Sequence, residues 1–465
     1  MTSSFDKYKD ALRDCTTLRQ QGKVTQVIGL VISSTGPSTS IGELCRIHPN
    51  EGGRPILAEV VGFKDRQVML MPLGEMRGIN PGSVVEATGE TLSVGVGNDL
   101  LGRVLGGLGE PIDGKGAIKS DISRQIYADP PHPLKRKRIN APMLTGVKAI
   151  DTFATCGLGQ RLGIFAGSGV GKSVMLGMIA RHSRADVNVI GLIGERGREV
   201  RDFLERDLGE DGLSRSVVVS VTSDQPALIK VKGALVATTI AEHFREQGKN
   251  VILMIDSVTR IALALREIGL AVGEPPATKG FTPSVFAFLP KFLERPGLTE
   301  KGSVTGLYTV LVEGDDFNEP VSDSVRSILD GHVALSRKLA NRNHYPAVDI
   351  LDSISRVMPD VTDVEHRRIA GRARELIAAY AESEDLISIG AYVKGSHRLT
   401  DEAIVKHDDL NALLRQEMSE RGDLEKDIDI LREIIDREEI SVQAGKNQEA
   451  SRGQQKAGTA GLRAG

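Results

Sequence analysis

Arg161-Leu162-Gly163-Ile164-Phe165-Ala166-Gly167-Ser168-Gly169-Val170-Gly171-Lys172-Ser173 decides the reading of this chain. A short apolar run passes through a glycine-rich turn into the start of a helix, which is the order of a phosphate-cradling P-loop. Glycines let successive backbone N–H groups converge on a β-phosphate, and the helix N-terminus adds a favourable dipole. Lys172 then reaches the β- and γ-oxygens while the Ser173 hydroxyl ligates Mg²⁺. Ala166 stands at the first position of the G-x-x-x-x-G-K-[ST] pattern, where a small residue still fits. Ala166, Gly167, Ser168, Gly169, Val170, Gly171, Lys172 and Ser173 are therefore the expected cradle of a nucleoside triphosphate. A glycine-rich turn that only caps a helix is the competing reading, and the flanking strand and helix signals count against it.

Working outward, near-continuous apolar runs at 187–193, 217–221, 251–255 and 307–312 suggest a parallel sheet buried on both faces, with ligands at the carboxyl ends of its strands. The run Val251-Ile252-Leu253-Met254-Ile255 ends in Asp256, the Walker-B arrangement in which the carboxylate holds the Mg²⁺ shell. Glu195 follows another such strand and faces the same crevice, placed to orient or deprotonate an attacking water. An N-cap or ion-pair role is the plainer alternative for Glu195.

Composition sets the frame. A chain of 465 residues holds two to four domains, and 40% apolar content, 26% charged residues and a net charge of −3 describe an ordinary globular protein. No apolar run approaches the ~20 residues that span a bilayer. These features exclude an integral membrane helix protein and an overall electrostatic nucleic-acid binder. The first residues carry no basic region followed by an apolar core, so no signal peptide is expected. Cys15, Cys45 and Cys156 are few, odd in number and far apart, which argues for a reducing cytoplasm and against a disulfide framework or a zinc site.

The fold class is α/β, with an N-terminal small β-barrel, a central P-loop parallel-sheet domain and a C-terminal helical domain. Residues 1–21 place Phe5, Tyr8, Leu12, Cys15 and Leu18 at helical spacing, giving an amphipathic helix that either binds a partner or packs on its own domain. Residues 22–95 read as the barrel, with β-rich runs at 24–32, 56–63, 67–71 and 83–87 punctuated by Gly52-Gly53 and Asn80-Pro81-Gly82. Residues 96–374 form the sheet domain. Residues 375–440 form the helical domain, with an apolar stripe through Leu410, Leu413, Leu414, Met418, Leu424, Ile428, Leu431 and Ile434. Residues 441–465 read as a disordered tail. The basic run Lys135-Arg136-Lys137-Arg138 is read as a solvated linker between barrel and core, not as a nucleic-acid contact.

Further stretches carry a family resemblance. Gly194-Glu195-Arg196, His344-Tyr345-Pro346-Ala347-Val348-Asp349 and Asp349-Ile350-Leu351-Asp352-Ser353-Ile354-Ser355-Arg356 resemble the catalytic-core signatures of rotary ATP synthase β-type subunits and type III export ATPases. The resemblance runs from about residue 22 to about residue 414. Within that superfamily the P-loop with its Ala166, Arg266-Glu267-Ile268-Gly269-Leu270-Ala271-Val272-Gly273-Glu274-Pro275-Pro276 and Gly314-Asp315-Asp316-Phe317-Asn318-Glu319-Pro320-Val321 are most similar to flagellum-specific export ATPases.

The resemblance implies a RecA-like core that hydrolyses ATP with Mg²⁺. It implies that Glu195 activates water, that Arg196 and Arg260 lie near the phosphates, and that Asp256 supports the metal. Tyr345 is similar to the aromatic that stacks on adenine, and Arg356 resembles an arginine finger acting on a neighbouring subunit; an unpaired surface arginine is its plainer reading. It also implies a homo-oligomer of six subunits, a stator or regulator protein bound at the N-terminal helix, export chaperones and substrates, and a gate at the cytoplasmic membrane. Localisation would be cytoplasmic and peripheral to the inner-membrane export apparatus, with no specific nucleic acid as partner.

Departures narrow this. Ala391-Tyr392-Val393-Lys394-Gly395-Ser396-His397-Arg398-Leu399 stands where a synthase β subunit carries an acidic rotor-contact motif, which disfavours a proton-driven synthase. Leu265 and Phe288 replace polar residues expected for the flagellar family and put local surface contacts in question. The second aromatic wall of an adenine pocket is not assigned; Tyr380 is a candidate without support. A virulence injectisome ATPase is the alternative enzyme. An RNA helicase ring would need stacking aromatics, and residues 22–95 supply only Phe63. A non-catalytic nucleotide-binding subunit is disfavoured by Lys172, Glu195 and Asp256 occurring together.

Overall fold

The computed structural model describes residues 20–50, 53–120, 122–312 and 319–437. The expected N-terminal helix, the expected tail and part of the 314–321 motif lie outside the described residues. The chain divides into two compact units. One ends at Asp363 and takes in Leu414–Leu424; the other runs over Val364–Leu413 and resumes at Glu425.

The first unit opens with a closed antiparallel barrel. Its strands are β1 (Gln21–Ile28), β2 (Val31–Thr35), β3 (Glu43–His48), β4 (Ile56–Lys64), β5 (Gln67–Pro72) and β6 (Val84–Thr91), in the order β1-β2-β5-β4-β3-β6. Alternating residues fill it: Val24, Ile32, Cys45, Ile47, Ala58, Val60, Val68, Leu70 and Val85 form its core. The single run expected at 24–32 is in fact two strands, because Gly29 takes a φ of 56° and turns the chain between Ile28 and Val31. Phe63 is 52% exposed on the barrel and has no aromatic neighbour there with which to form a stacking surface.

Short strands β7 (Ser93–Val96), β8 (Arg103–Leu105) and β9 (Ile122–Gln125) lead into the core, where β7 pairs with β9. The main sheet adds β10 (Arg161–Ala166), β11 (Val187–Glu195), β12 (Ser216–Thr222), β13 (Asn250–Asp256), β14 (Gly297–Leu298), β15 (Ser303–Leu311), β16 (Gly331–Leu335) and β17 (Val348–Ser355). Its order is β17-β16-β10-β15-β13-β11-β12-β8, with β14 beside β15. From β16 to β8 the pairing is parallel, while β17 closes the edge antiparallel to β16. Burial on both faces explains the apolar runs seen in the sequence: every residue of β13 after Asn250 is buried. Helix Ala227–Glu246 is so enclosed that it carries Lys232, Glu242 and Arg245 into the interior.

Interior ion pairs compensate for Lys232 and Glu242, while Arg245 donates to the Arg295 carbonyl at 3.0 Å. Lys232 donates to Glu59 of the barrel at 2.7 Å and touches the Tyr127 hydroxyl, which itself donates to Glu59 at 2.9 Å. Arg295 grips Glu242 through Nε at 2.9 Å and Nη2 at 2.5 Å and donates to the Ile126 carbonyl at 2.8 Å. The basic run after the barrel is not wholly solvated as expected. Arg136 donates to the Pro296 carbonyl at 2.7 Å and pairs with Glu294 at 3.1 Å, whereas Lys135 and Arg138 are exposed. Leu265 and Phe288 also differ from the expectation of surface positions: both pack against the main core, and Phe288 stacks on Phe292 at 5.5 Å.

In the second unit, helix Val364–Ser388 runs unbroken, followed by helices Arg398–Leu414 and Leu424–Asp436. The apolar stripe expected from Leu410 to Ile434 is interrupted at 415–423, where the chain returns to the first unit and takes Met418 with it. Tyr380 stacks on His407 with ring centroids 3.5 Å apart.

Candidate active site

The carboxyl ends of β10, β11 and β13 converge on one edge of the sheet, and each delivers a charged group. β10 ends at buried Ala166, and the turn through Gly167, Ser168, Gly169 and Val170 leads to Gly171, the residue before helix Lys172–His182. Gly169 and Gly171 have φ of 78° and 90°, a region that side chains resist. A Cβ at Gly171 would lie in van der Waals contact with the Tyr345 ring, 3.4 Å from two of its carbons. The aromatic expected to stack on adenine therefore sits against its own P-loop.

Lys172 Nζ donates to Asp256 Oδ1 at 2.5 Å and lies 3.6 Å from Glu195 Oε1. The same Asp256 oxygen accepts from Thr309 Oγ1 at 2.7 Å. Thr309 belongs to β15, which runs between β10 and β13, so register alone brings it level with Asp256. Burial by itself would lower the Lys172 pKa, but the carboxylates of Asp256 and Glu195 overcome this and hold it above the ordinary lysine value. Burial, reinforced by the Asp256 charge, pushes Glu195 up to about 7 against the opposing pull of Lys172.

This donor set fits Mg²⁺. Ser173 and Asp256 offer hard oxygen donors, two carboxylates face a single ammonium, and the deficit of positive charge is what a divalent cation makes up. Among the described residues no group of three or more His, Cys, Asp or Glu side chains could hold an ion unaided. That suits Mg²⁺, which is commonly held by one or two protein oxygens together with substrate phosphates and water.

The other expected residues scatter. Arg260 packs across Gly194, where an added Cβ would come within 3.0 Å of the arginine side chain, and its buried Nε has no hydrogen-bond partner. It lines a cavity of about 380 Å³ with Gly194, Ser223, Lys230 and Arg266. Arg196 precedes helix Gly197–Asp202 and its side chain is 78% exposed, paired with Glu199 at 3.7 Å and not with the P-loop. Arg356 is exposed and leaves β17 at the far end of the sheet. Leu335, level with Ala166, pairs with Val348, whereas Ser355 pairs with Gly331 four residues back along β16. That separation is roughly 13 Å of strand, so Arg356 does not meet the P-loop of its own chain.

Two contributors were missed in the sequence. Thr309 could have been flagged as a lone hydroxyl in an apolar strand. Gln416 gave no signal: it sits in the break between two helices, where its N–H donates to the Tyr345 carbonyl at 3.0 Å and its side-chain oxygen accepts from Lys148 N at 2.9 Å.

Residues 146–355 match the family model described as "ATP synthase alpha/beta family, nucleotide-binding domain", residues 24–89 its "beta-barrel domain", and residues 362–433 the "T3SS EscN ATPase C-terminal domain". The "Flagellum-specific ATP synthase" of Bacillus subtilis is 54% identical over 431 residues, covering 92% of this chain and 98% of that protein. The chain belongs to the ATP synthase α/β family. Within this family of ATPases it is also 49% identical to the "Type 3 secretion system ATPase" of Xanthomonas euvesicatoria, over 91% of this chain and 97% of the relative. Among solved structures, the assembled ATPase EscN of the enteropathogenic E. coli type III secretion system superposes with a TM-score of 0.85 at 47% identity, covering 89% of this chain and all of that one. EscN in complex with its central stalk EscO gives 0.83 at 46% identity and the same coverage of this chain. As a member of the family the chain is an ATP hydrolase, and no helix among the described residues is long and apolar enough to cross a membrane.

Proposed function

We propose that this ATPase energises protein export through the flagellar type III apparatus, using a site completed between identical subunits of a six-membered ring. The observation that carries the chemistry is the gathering of Lys172, Glu195 and Asp256 at the ends of three strands of one sheet. Lys172 turns from Asp256 to the β/γ-phosphates when nucleotide enters, and the P-loop N–H groups cradle the β-phosphate. Ser173 and Asp256 would hold Mg²⁺, which would supply positive charge to the phosphates when bound. Glu195, ionised, orients and accepts a proton from the attacking water. Tyr345 stacks on the base, and Arg260 lies beside the phosphates with its free Nε.

Arg356 serves a neighbouring subunit, since its own P-loop is out of reach. The single-chain site therefore lacks one of the groups, beside Lys172, that would neutralise the γ-phosphate charge spread in the transition state, and an arginine finger is typically worth ~10³-fold or more in such sites. A stator or regulator protein at the N-terminal arm, export chaperones and a membrane gate complete the proposed setting, in the cytoplasm at the inner membrane. The central experiment is Glu195→Gln: steady-state hydrolysis falls by ~10²-fold or more while ATP binding survives. Hydrolysis at the wild-type rate removes Glu195 from the mechanism. An injectisome role is the second reading, favoured by the secretion ATPase relatives at similar identity. Deleting the gene separates the two: loss of motility with intact effector secretion supports the flagellar assignment, and the reverse overturns it.

A further inference from the structure

Arg356 is exposed, yet its backbone is fixed by a chain of charged groups that the hydrolysis chemistry does not use. Its N–H donates to the Asp330 carbonyl at 2.9 Å. The Asp330 carboxylate is gripped by Arg161 through Nε at 2.9 Å and Nη2 at 3.0 Å, and it also accepts from the Arg161 N–H at 3.2 Å. Asp330 N donates back to the Arg161 carbonyl at 3.0 Å. Arg161 in turn pairs with Glu294, and Glu294 with Arg136. Fully buried Gln160 ties the Asp330 carbonyl at 3.1 Å and Ser355 Oγ at 3.0 Å to the same frame.

This grip spans the sheet where Arg356 emerges. Arg161 opens β10, the strand that ends in the P-loop, and Asp330 directly precedes β16. A planar guanidinium bound bidentately fixes direction as well as distance, which a lysine in the same place could not do. We propose that Asp330, held by Arg161, is a positioning residue that sets the register in which Arg356 is presented to the γ-phosphate of a neighbouring subunit. The inference rests on the reading of Arg356 as a finger acting between subunits. Misplacement of a reacting group by about 1 Å can cost ~10²-fold, so loosening this frame acts on turnover and leaves nucleotide capture alone.

The test uses assembled rings. Asp330→Asn keeps the shape and removes the charge; the expected result is a kcat lower by about tenfold or more with KM for ATP within about twofold, and partial recovery in Asp330→Glu. Arg161→Lys, which retains the charge and loses the fork, gives the same split. Mixed rings identify the route. Asp330→Asn subunits combined with Lys172→Ala subunits regain activity above the weighted sum of the two, because an intact P-loop then meets a correctly held Arg356. Arg356→Ala mixed with Lys172→Ala runs in parallel. Recovery there but not with Asp330→Asn overturns the positioning role alone; recovery in neither overturns the finger reading itself. An unchanged kcat in Asp330→Asn, or loss of folding in both Asp330→Asn and Arg161→Lys, also overturns the inference, the latter by making the pair a structural clasp.

Discussion

Two lysines are taken out of water in this molecule, and their surroundings drive them in opposite directions. Lys172, at the P-loop, has a side chain 12% exposed and two carboxylates around it; Lys232, at the junction of barrel and core, is 3% exposed and faces one carboxylate, Glu59. Burial lowers the pKa of both, but at Lys172 the paired charges of Asp256 and Glu195 prevail and it stays raised. At Lys232 burial outweighs Glu59 and the pKa is lowered. The junction is a closed account of one charge against one, sealed by the Tyr127 hydroxyl. The P-loop sets two carboxylates against one ammonium, a mismatch that a proton on Glu195 or a bound divalent cation relieves. A buried lysine that is over-supplied with acids thus marks chemistry, and one that is merely matched marks architecture.

Removing each lysine breaks the comparison most severely. Lys172→Ala is expected to lower kcat/KM by about 10³-fold or more, since it removes a charge aimed at the transferring phosphate, while the ring still assembles. Lys232→Met is expected to do the converse: it leaves Glu59 in the barrel wall without its cation, held only by the Tyr127 hydroxyl, costing about 3–5 kcal/mol of stability. The double change Lys232→Met with Glu59→Leu recovers most of that loss, because an apolar pair of similar volume replaces a buried ion pair. Thermal unfolding of the three variants checks this. A catalytic collapse in Lys232→Met rings that remain folded would undo the distinction between the two sites.

Legibility in the sequence follows the same line. The P-loop and the strand ending in Asp256 could be read because a phosphate cradle needs particular residues at consecutive positions. The parallel sheet could be read because burial on both faces leaves uninterrupted apolar runs. Other features depend on register between distant strands, which local pattern does not encode. Thr309 reaches Asp256 only because β15 lies between β10 and β13, and Arg356 is remote from its own P-loop only because β17 is antiparallel. The turn at Gly29 and the break at 415–423 escaped notice because apolar residues continue on both sides of each. Arg136 was read as solvated because a run of four basic residues gives no hint which one finds a carboxylate 158 positions away.

The smallest expected effect is also the one that sharpens the comparison. Glu195 is held near 7, above its ordinary value of 4.5, by burial first and by the Asp256 charge second, with Lys172 pulling the other way. A raised folded-state pKa means that the folded protein binds this proton more tightly than the unfolded chain does. Glu195 therefore contributes to stability below its ordinary value, and that contribution is lost as pH rises through about 7, which is the range where a base must be ionised to act. The nucleotide-free enzyme governs kcat/KM, so its profile should fall about tenfold per pH unit below 7. Glu195→Gln should flatten that limb. A kcat/KM profile that stays level from pH 8 down to 5.5, or an acid limb that persists unchanged in Glu195→Gln, would show that the strained carboxylate is a charge partner of Lys172 and not the group that meets water.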